Sequence, residues 1–518
     1  MAGAALAHVP LAGAAAGSAP NADPPPLVQP LPPRWPDAPP QPAGAPAFPG
    51  ADRSRPSPPS SVLAVPALFS ATGGSLVRGI SDGRLTENDD EVIRARAMRD
   101  VSALGASVVR LPLSWAAALP DAPPADATDP DDPAYVWSRQ DAAVRSAVAA
   151  GLQPLLVISH APVYAEAPHR WRWAARGSWA PSPSELGAFA TAVARRYSGS
   201  WPDPQRPGRA LPRVAAFQAW NEPNLPNYLT PQWVVRGGRW VPWAPVHYRL
   251  MLNAFAAAVR AVQPRATIVS AGLAPNGEGA DGAGRMTPVR FLRAMLCLGA
   301  PPSDGPVSCP APADFDVLAF HPLSVGDPDA RARSALDVSV GDVEKVGAVL
   351  RLAERHGLLA RPAPSLWITE LNWTSAAIPA DRRAAAVGRG LHRLWAAGAQ
   401  QVTWHFLEDP PDLPDREAGL RTRGAAGPLS GARKAYARGF ALPFDVGRID
   451  AGRVGAWAVP NVDGPLRLQR RRGARWVTVS RVPRARRDRP VRFVVRAGRG
   501  VRLRVVGVGM ASAAIAVR

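Results

Sequence analysis

Two glutamates stand in sequence surroundings that indicate chemistry. Glu222 follows a short apolar run at residues 214–220 and precedes Pro223, which lacks the N–H needed to extend a strand ladder. Glu370 follows a second apolar run at residues 365–369. Both runs have the length and composition of buried strands, so each carboxylate is predicted at the carboxyl end of a strand.

A pair of carboxylates on one rim can cleave a glycosidic bond. One group protonates the leaving oxygen, while the other attacks the anomeric carbon or activates water. Because Glu222 and Glu370 are far apart in the sequence, this chemistry needs a fold that gathers strand ends on one face. A parallel α/β barrel does so, since all its strands open onto one rim. Taken singly, each motif also fits an ordinary turn after a strand.

Alternating strand and helix patterns predict an α/β chain that closes as a (β/α)8 TIM barrel, for which eight strands are required. The predicted strands are residues 76–81, 107–111, 153–159, 214–220, 267–271, 315–320, 365–370 and 401–406. The predicted helices are residues 88–104, 138–150, 184–197, 243–262, 287–298, 342–356, 381–397 and 427–440.

The chain divides into four predicted regions. Residues 1–22 are rich in Ala and Gly and are similar to a secretory signal or leader without its basic start, which predicts a secreted, extracellular protein. Residues 23–61 are rich in Pro and are predicted to be a disordered linker. Residues 62–442 form the predicted catalytic barrel. Residues 443–518 show short alternating runs that predict a small C-terminal β-sandwich-like domain.

The net charge of +20 comes mostly from the C-terminal domain. Sixteen arginines and one acid lie between Arg467 and Arg518. Lysine is nearly absent from the whole chain, which favours genome composition as one source of the arginine. We expect the arginines to be solvated, with weak contact to an anionic cell-wall polymer as the lesser alternative. Nucleic-acid binding is not expected, because the only aromatic residues of this region are Trp476 and Phe493.

With both glutamates in view, the chain resembles the clan A glycoside hydrolases, most closely the cellulase-like family 5 and the xylosidase-like family 39. The resemblance rests on Val-Arg-Leu-Pro at 109–112, Trp-Asn-Glu-Pro at 220–223, Phe-His-Pro at 320–322, Ile-Thr-Glu at 368–370 and Trp404. It implies a retaining glycosidase acting by double displacement on a carbohydrate substrate, without metal or cofactor. Its two carboxyl groups should then lie ~5–5.5 Å apart rather than ~6.5–9.5 Å.

The resemblance also implies roles for individual residues. Glu222 is expected to be the acid/base and Glu370 the nucleophile. Arg110 is expected to hold Glu370 ionised, His321 to contact the nucleophile and the sugar, and Asn221 to bond the sugar 2-hydroxyl.

Three further residues are expected around the sugar. Trp404 is expected beneath the ring, and Trp373 at the wall of the pocket. His160, at the end of a predicted strand, fits a sugar-binding or a structural role. Two departures from the family pattern concern the substrate more than the chemistry: Leu323 stands where relatives often carry an aromatic residue, and Leu-Asn-Trp follows Glu370.

The loops of the predicted barrel carry further candidates. Exposed aromatic residues suit pyranose stacking, although core packing is the alternative for some of them. These aromatic candidates are Tyr164, Trp171, Trp173, Trp179, Trp233 and Trp240. Glu408 and Asp409 are candidate hydroxyl binders. The acidic residues between Asp126 and Asp132 fit a calcium site less well than a solvated loop.

Two alternatives stay open for Cys297 and Cys309, namely a disulfide that closes a short loop or two separate buried thiols; secretion favours the disulfide. No apolar run beyond the N-terminus is long enough to span a membrane, and a monomer is expected. The alternative to hydrolysis is a non-catalytic carbohydrate-binding or cationic cell-surface protein on the same TIM-barrel scaffold.

Overall fold

The computed structural model describes residues 74–119, 123–278, 284–300, 303–309, 311–323, 326–361, 364–373, 378–411 and 417–518. The predicted leader and the predicted Pro-rich linker lie outside the described residues. The first residues of the predicted barrel domain lie outside them as well.

Eight parallel strands close into a barrel, which confirms the predicted fold class. The first ten strands are β1 (Val77–Ser81), β2 (Val108–Ser114), β3 (Gln153–Ser159), β4 (Ala216–Ala219), β5 (Trp233–Arg236), β6 (Arg239–Pro242), β7 (Thr267–Val269), β8 (Val317–Phe320), β9 (Ser365–Leu371) and β10 (Ala399–His405). The barrel order is β1-β2-β3-β4-β7-β8-β9-β10, with β10 returning to β1. Strands β5 and β6 pair as a separate hairpin in a segment that the sequence predicted to be loop.

Helices follow the barrel strands and cover them. They are α1 (Gly83–Thr86), α2 (Glu91–Ala103), α3 (Ser138–Ala149), α4 (Pro183–Arg196), α5 (Ala244–Val262), α6 (Pro288–Met295), α7 (Glu344–Arg355), α8 (Arg383–Ala396) and α9 (Ala435–Ala441). Asp90 and Ser182 cap α2 and α4 by accepting backbone N–H groups. The helix predicted at 427–440 is wrong in length, because α9 begins only at Ala435, after the turn residues Pro428 and Gly431.

The barrel strands are buried on both faces, which explains why they read as near-continuous apolar runs. Inside the barrel, small and branched side chains form a separate buried cluster; they include Val108, Leu155, Val269 and Val317. Outside it, a larger apolar layer joins the strands to the helices. The described helices include none long and apolar enough to cross a lipid bilayer.

The C-terminal domain is a β-sandwich, as predicted. Its strands are β11 (Phe444–Arg448), β12 (Arg453–Ala458), β13 (Gly464–Arg472), β14 (Arg475–Ala485), β15 (Val491–Arg496), β16 (Arg502–Val506) and β17 (Ile515–Ala516). One sheet has the order β11-β12-β15 and the other β14-β13-β16-β17. Apolar side chains from both sheets, among them Leu468, Phe493 and Leu503, form a common core.

A disulfide joins Cys297, just after α6, to Cys309 in the following loop. The two residues lie 12 positions apart in the sequence. Of the two alternatives left open by the sequence, the structure contains the disulfide.

A buried arginine ties the barrel to the C-terminal domain. Arg78 of β1 is fully buried, and its Nη2 lies 2.8 Å from Oδ1 of Asp488. The same guanidinium donates to the carbonyl oxygens of Phe440, Ala441 and Pro460. Five hydrogen bonds from one cation compensate the cost of removing it from water.

We predict that Arg78→Met lowers the free energy of unfolding by about 3–5 kcal/mol, because it leaves Asp488 without its buried partner. Urea unfolding measures the change. The control is Arg139→Met, which removes an exposed ion pair with Asp89 and should cost less than about 1 kcal/mol. Equal losses in the two variants would show that the buried pair contributes no special stability.

Candidate active site

The two glutamates meet at the carboxyl rim of the barrel. Glu370 is the sixth residue of β9, and Glu222 lies three residues beyond β4. Both are buried, at 8% and 3% exposure. A carboxylate oxygen of one lies within 4.8 Å of a carboxylate oxygen of the other. This separation allows direct attack at a carbon held between them.

The backbone that presents Glu222 is strained. Trp220 and Glu222 both adopt positive φ angles, of 76° and 37°. Non-glycine residues in this region cost of order 1–3 kcal/mol and persist only where their surroundings enforce them. Here the N–H of Glu222 donates to the carbonyl of Gly272, and the indole N–H of Trp220 donates to the carbonyl of Tyr228. These bonds aim the Glu222 side chain into the site.

Arg110 connects three strands beneath the site. Its Nη1 donates to Oε1 of Glu370 at 2.7 Å, and its Nη2 donates to Oδ1 of Asn221 at 2.7 Å. Its Nε donates to Oε1 of Gln218 at 2.9 Å. The guanidinium therefore stands where the resemblance implied. Gln218 was missed by sequence reasoning, although its polar side chain within the apolar run of β4 was a usable signal.

His321 lies between the two glutamates. Its Nδ1 is 3.0 Å from Oε1 of Glu222 and 3.8 Å from Oε2 of Glu370, so its hydrogen bond is to the other acid and not to the expected nucleophile. Its Nε2 is 2.9 Å from Oγ1 of Thr369. A Cβ at Gly272 would lie 2.1 Å from this nitrogen, so glycine is required there for the imidazole to fit.

The two carboxyl groups have opposite pKa shifts. Burial raises the pKa of Glu222 and outweighs its hydrogen bond to His321. Burial also acts on Glu370, but the facing imidazoles and the Arg110 guanidinium outweigh it and lower the pKa of Glu370 to about 2. At neutral pH, Glu370 is therefore ionised, while the raised pKa of Glu222 favours its protonated form.

Trp404 and Trp373 do not line the site, contrary to the prediction. Trp404 is fully buried and packs against Tyr436 and Phe440 of α9, with ring centroids 5.6 and 6.2 Å away. Its indole N–H donates to the carbonyl of Ala418. Trp373 is also fully buried and lies against Gly390 of α8. Both side chains point from the barrel wall toward the helices.

His405 takes the inward position at the end of β10. Ser81 of β1 pairs in register with His405 on one side and with Arg110 on the other, so the three side chains share one face of the sheet. The Nδ1 atom of His405 is buried and has no hydrogen-bond partner among the described residues. Burial lowers the pKa of His405 to about 4, which leaves the imidazole neutral at pH 7. Sequence reasoning chose the adjacent aromatic residue instead.

Tyr228 and His160 complete one side of the rim. Burial, followed by the charges of Glu222 and Glu370, raises the pKa of Tyr228. The ring of His160 lies 5.4 Å from that of Tyr228, and its Nδ1 is 2.8 Å from Oγ of Ser159. Tyr228 was missed because it follows the strand by several residues in an irregular segment.

The predicted stacking residues divide by burial. Trp179 and Trp233 are buried, so for these two rings the structure shows the core-packing alternative and excludes an exposed platform. Trp173 is 51% exposed and Tyr164 is 37% exposed. Trp171 packs between Trp173 and Trp179, with centroids 5.0 and 4.6 Å from theirs, so one exposed ring rests on two supporting ones.

The remaining polar candidates are engaged elsewhere. Glu408 is buried and accepts the backbone N–H of Leu429, which excludes it as an exposed hydroxyl binder. Asp409 is paired with Lys434 at 2.6 Å. In the acidic loop, Asp126 and Asp131 are exposed, as the solvated-loop interpretation expects, whereas Asp132 is buried and accepts the backbone N–H groups of Asp126 and Ala134.

One group in the described residues has the geometry to ligate a metal ion. It consists of Glu222, His321 and Glu370, whose ligand atoms lie within 4.8 Å of one another. Arg110 already donates to Glu370, and its positive charge would oppose a cation beside it. The donor set is therefore better suited to acid–base chemistry.

We predict that Arg110→Gln raises the pKa of Glu370, because the cation that favours its ionised form is lost. NMR titration of the labelled glutamate carboxyl measures this shift without any substrate. The control is Arg84→Gln, which removes a cation bound instead to Asp82. An unchanged titration of Glu370 in the Arg110 variant would contradict the role of the ion pair.

No protein-family model matches the sequence, and no curated protein sequence matches it. Solved structures do. A family 39 glycoside hydrolase from Bacteroides cellulosilyticus WH2 is 17% identical, with 82% of this chain and 81% of that one covered and a TM-score of 0.48. A GH5_18 protein from Bifidobacterium longum subsp. infantis is 14% identical, with 71% and 78% covered and a TM-score of 0.42.

A third match is a GH30 endoxylanase from Clostridium papyrosolvens C71, which is 12% identical, with 83% of this chain and 98% of that chain covered and a TM-score of 0.44. The matches thus include families 39 and 5, the two that the sequence motifs resemble. Because the identities and TM-scores are low, these matches do not establish an activity, and the geometry of the site must supply the argument.

Proposed function

We propose that this chain is a retaining glycoside hydrolase that cleaves an O-glycosidic bond of a poly- or oligosaccharide by double displacement. The observation that carries the proposal is one pair of buried carboxyl groups. They approach within 4.8 Å, and their pKa values are shifted in opposite directions. That separation suits direct nucleophilic attack better than attack by an interposed water, which needs ~6.5–9.5 Å.

In the first step, Glu370 attacks the anomeric carbon. The bond from that carbon to the leaving oxygen breaks, and the proton of Glu222 passes to this oxygen. Arg110 keeps the attacking carboxylate ionised until the bond forms. The products are a glycosyl ester on Glu370, a free leaving group and an ionised Glu222.

In the second step, Glu222 acts as a base. Ester formation removes the negative charge of Glu370, which had helped to raise the pKa of Glu222. The pKa of Glu222 therefore falls, and its carboxylate accepts a proton from water. The water oxygen attacks the anomeric carbon, the ester bond breaks, and both glutamates return to their starting states.

Neighbouring groups hold the sugar. The oxygen of the Asn221 amide accepts a hydrogen bond from Arg110, so its NH2 group is left to donate to a sugar hydroxyl. His405 offers a neutral imidazole from β10, and Trp173 offers an exposed ring for a neighbouring sugar. We further propose that the protein is secreted, which the disulfide between Cys297 and Cys309 supports.

Glu370→Gln and Glu222→Gln should each lower kcat/KM by roughly 100-fold to 10,000-fold, since each removes a reacting group. A panel of chromogenic aryl glycosides and oligosaccharides measures hydrolysis and identifies the sugar. Glu91→Gln, an exposed residue at the start of α2, is the matched control and should keep full activity. NMR of the first product should show retention of the anomeric configuration.

Two results would overturn the proposal. Inversion at the anomeric carbon would exclude a glycosyl ester on Glu370. Substrate binding with no hydrolysis by the wild-type protein would favour the non-catalytic carbohydrate-binding alternative.

We predict that His321→Leu moves the pH profile of kcat/KM to higher pH. The hydrogen bond from His321 lowers the pKa of Glu222. Loss of this bond should therefore raise the pKa of Glu222 and move the alkaline limb of the profile, on which protonated Glu222 is lost, to higher pH. His321 also lowers the pKa of Glu370, so the acid limb should move in the same direction. His356→Leu, at an exposed position after α7, is the control; an unmoved alkaline limb in the His321 variant would contradict the assignment.

A further inference from the structure

The outer face of the four-stranded C-terminal sheet carries a cluster of arginines. Strands β13, β14 and β16 contribute to it. We call this cluster the outer arginine face; its members are Arg467, Arg471, Arg481, Arg502 and Arg504. Four of the five are exposed, and Arg504 is half-buried.

Strand alternation directs these side chains away from the sandwich core. Leu466 and Leu468 of β13 are buried in that core, so Arg467 between them faces outward. Leu503 and Val505 place Arg504 outward in the same way. The burial of the alternate residues in the core therefore determines that these arginines face outward.

Strand register places two of these charges directly opposite each other. Arg467 of β13 pairs with Arg481 of β14, and like charges in this arrangement destabilise a sheet. Neither side chain has an ion pair within the described part of the chain. On the barrel, by contrast, arginines such as Arg145, Arg196 and Arg260 are paired with aspartates. A chain-wide preference for arginine explains how many arginines the chain has. It does not explain why arginines of the barrel are paired with aspartates while Arg467 and Arg481 are not.

The acids of the C-terminal domain are engaged away from the face; Asp445 is paired with His392 and Asp450 with Arg453. From residue 464 to the last residue, Asp488 is the only acid, and it is bound to Arg78 and Ser107 of the barrel. Asp463, just before β13, accepts bonds from the neighbouring Arg486 and Arg487. The positive charge of the outer arginine face is therefore left for an external anion.

We propose that the outer arginine face docks an acidic polysaccharide, a carbohydrate polymer with carboxylate groups. Neighbouring strands are ~4.8 Å apart and alternate residues of a strand ~6.7 Å apart, so the arginines of the face stand at spacings that a repeating anion can match. Bidentate pairing of guanidinium with carboxylate adds directionality.

The face lacks what a single-stranded nucleic acid would need. Trp476 is its aromatic residue, and the guanidinium of Arg504 lies over that ring at 4.2 Å from the centroid, which occupies the stacking surface. Arg504 also donates to Gln469, which holds it there. Polysaccharide docking goes beyond the proposed hydrolysis and does not depend on it.

The test measures binding of the full-length protein to immobilised polygalacturonate, at low and at high salt. The variant is Arg467→Gln/Arg481→Gln/Arg504→Gln. The matched control is Arg206→Gln/Arg209→Gln/Arg265→Gln, which removes the same charge from exposed positions of the barrel. We expect the face variant to lose roughly tenfold or more in affinity and the control to stay near wild type, with binding weakened by salt. Thermal unfolding verifies that both variants are folded.

Three outcomes would overturn the proposal. They are absence of binding by the wild-type protein, equal losses in the two variants, and tighter binding to single-stranded DNA than to polygalacturonate. Hydrolysis of aryl glycosides by the face variant should equal wild type. A loss of hydrolysis in this variant would indicate damage to the barrel and would say nothing about docking. The docking proposal and the hydrolysis proposal can therefore be refuted independently.

Discussion

The ion pair between Arg110 and Glu370 is the interaction on which the site depends. Two carboxylates within 4.8 Å repel each other when both are ionised, and burial penalises both charges. The two facing imidazoles, together with the guanidinium bonded to Glu370, make the surroundings of the two carboxyl groups different. One glutamate becomes a stable anion and the other a proton carrier, although the two residues are chemically identical. The different roles thus come from surroundings and not from residue type.

The barrel supplies those surroundings from strands that are distant in sequence. Arg110 comes from β2, Gln218 from β4, His321 from the end of β8 and Thr369 from β9, and hydrogen bonds connect them into one network. Because every member is held by another, the carboxyl groups are presented in a fixed geometry before a substrate arrives. The positive φ of Glu222 is a local cost of that arrangement, and the closed barrel around it enforces the conformation.

The C-terminal sandwich is coupled to the barrel through charge as well as through apolar packing. Its one acid in the arginine-rich region, Asp488, is consumed by the buried Arg78 at the barrel end opposite the rim. Asp488 is therefore not available as a counter-ion for the outer arginine face.

The sequence by itself determined the eight-strand barrel, the sandwich and the positions of Glu222, Glu370 and Asn221 at or just beyond strand ends, because hydrophobic period and strand termination are local properties. The strand predicted at 107–111 ended beside Arg110, whereas β2 continues to Ser114. Only the tertiary structure decided that His405, and not Trp404, faces the site. A strand buried on both faces is apolar at nearly every position, so its pattern does not say which residues point inward. Register with the neighbouring strand decides it, and register is set by contacts between residues far apart in the chain.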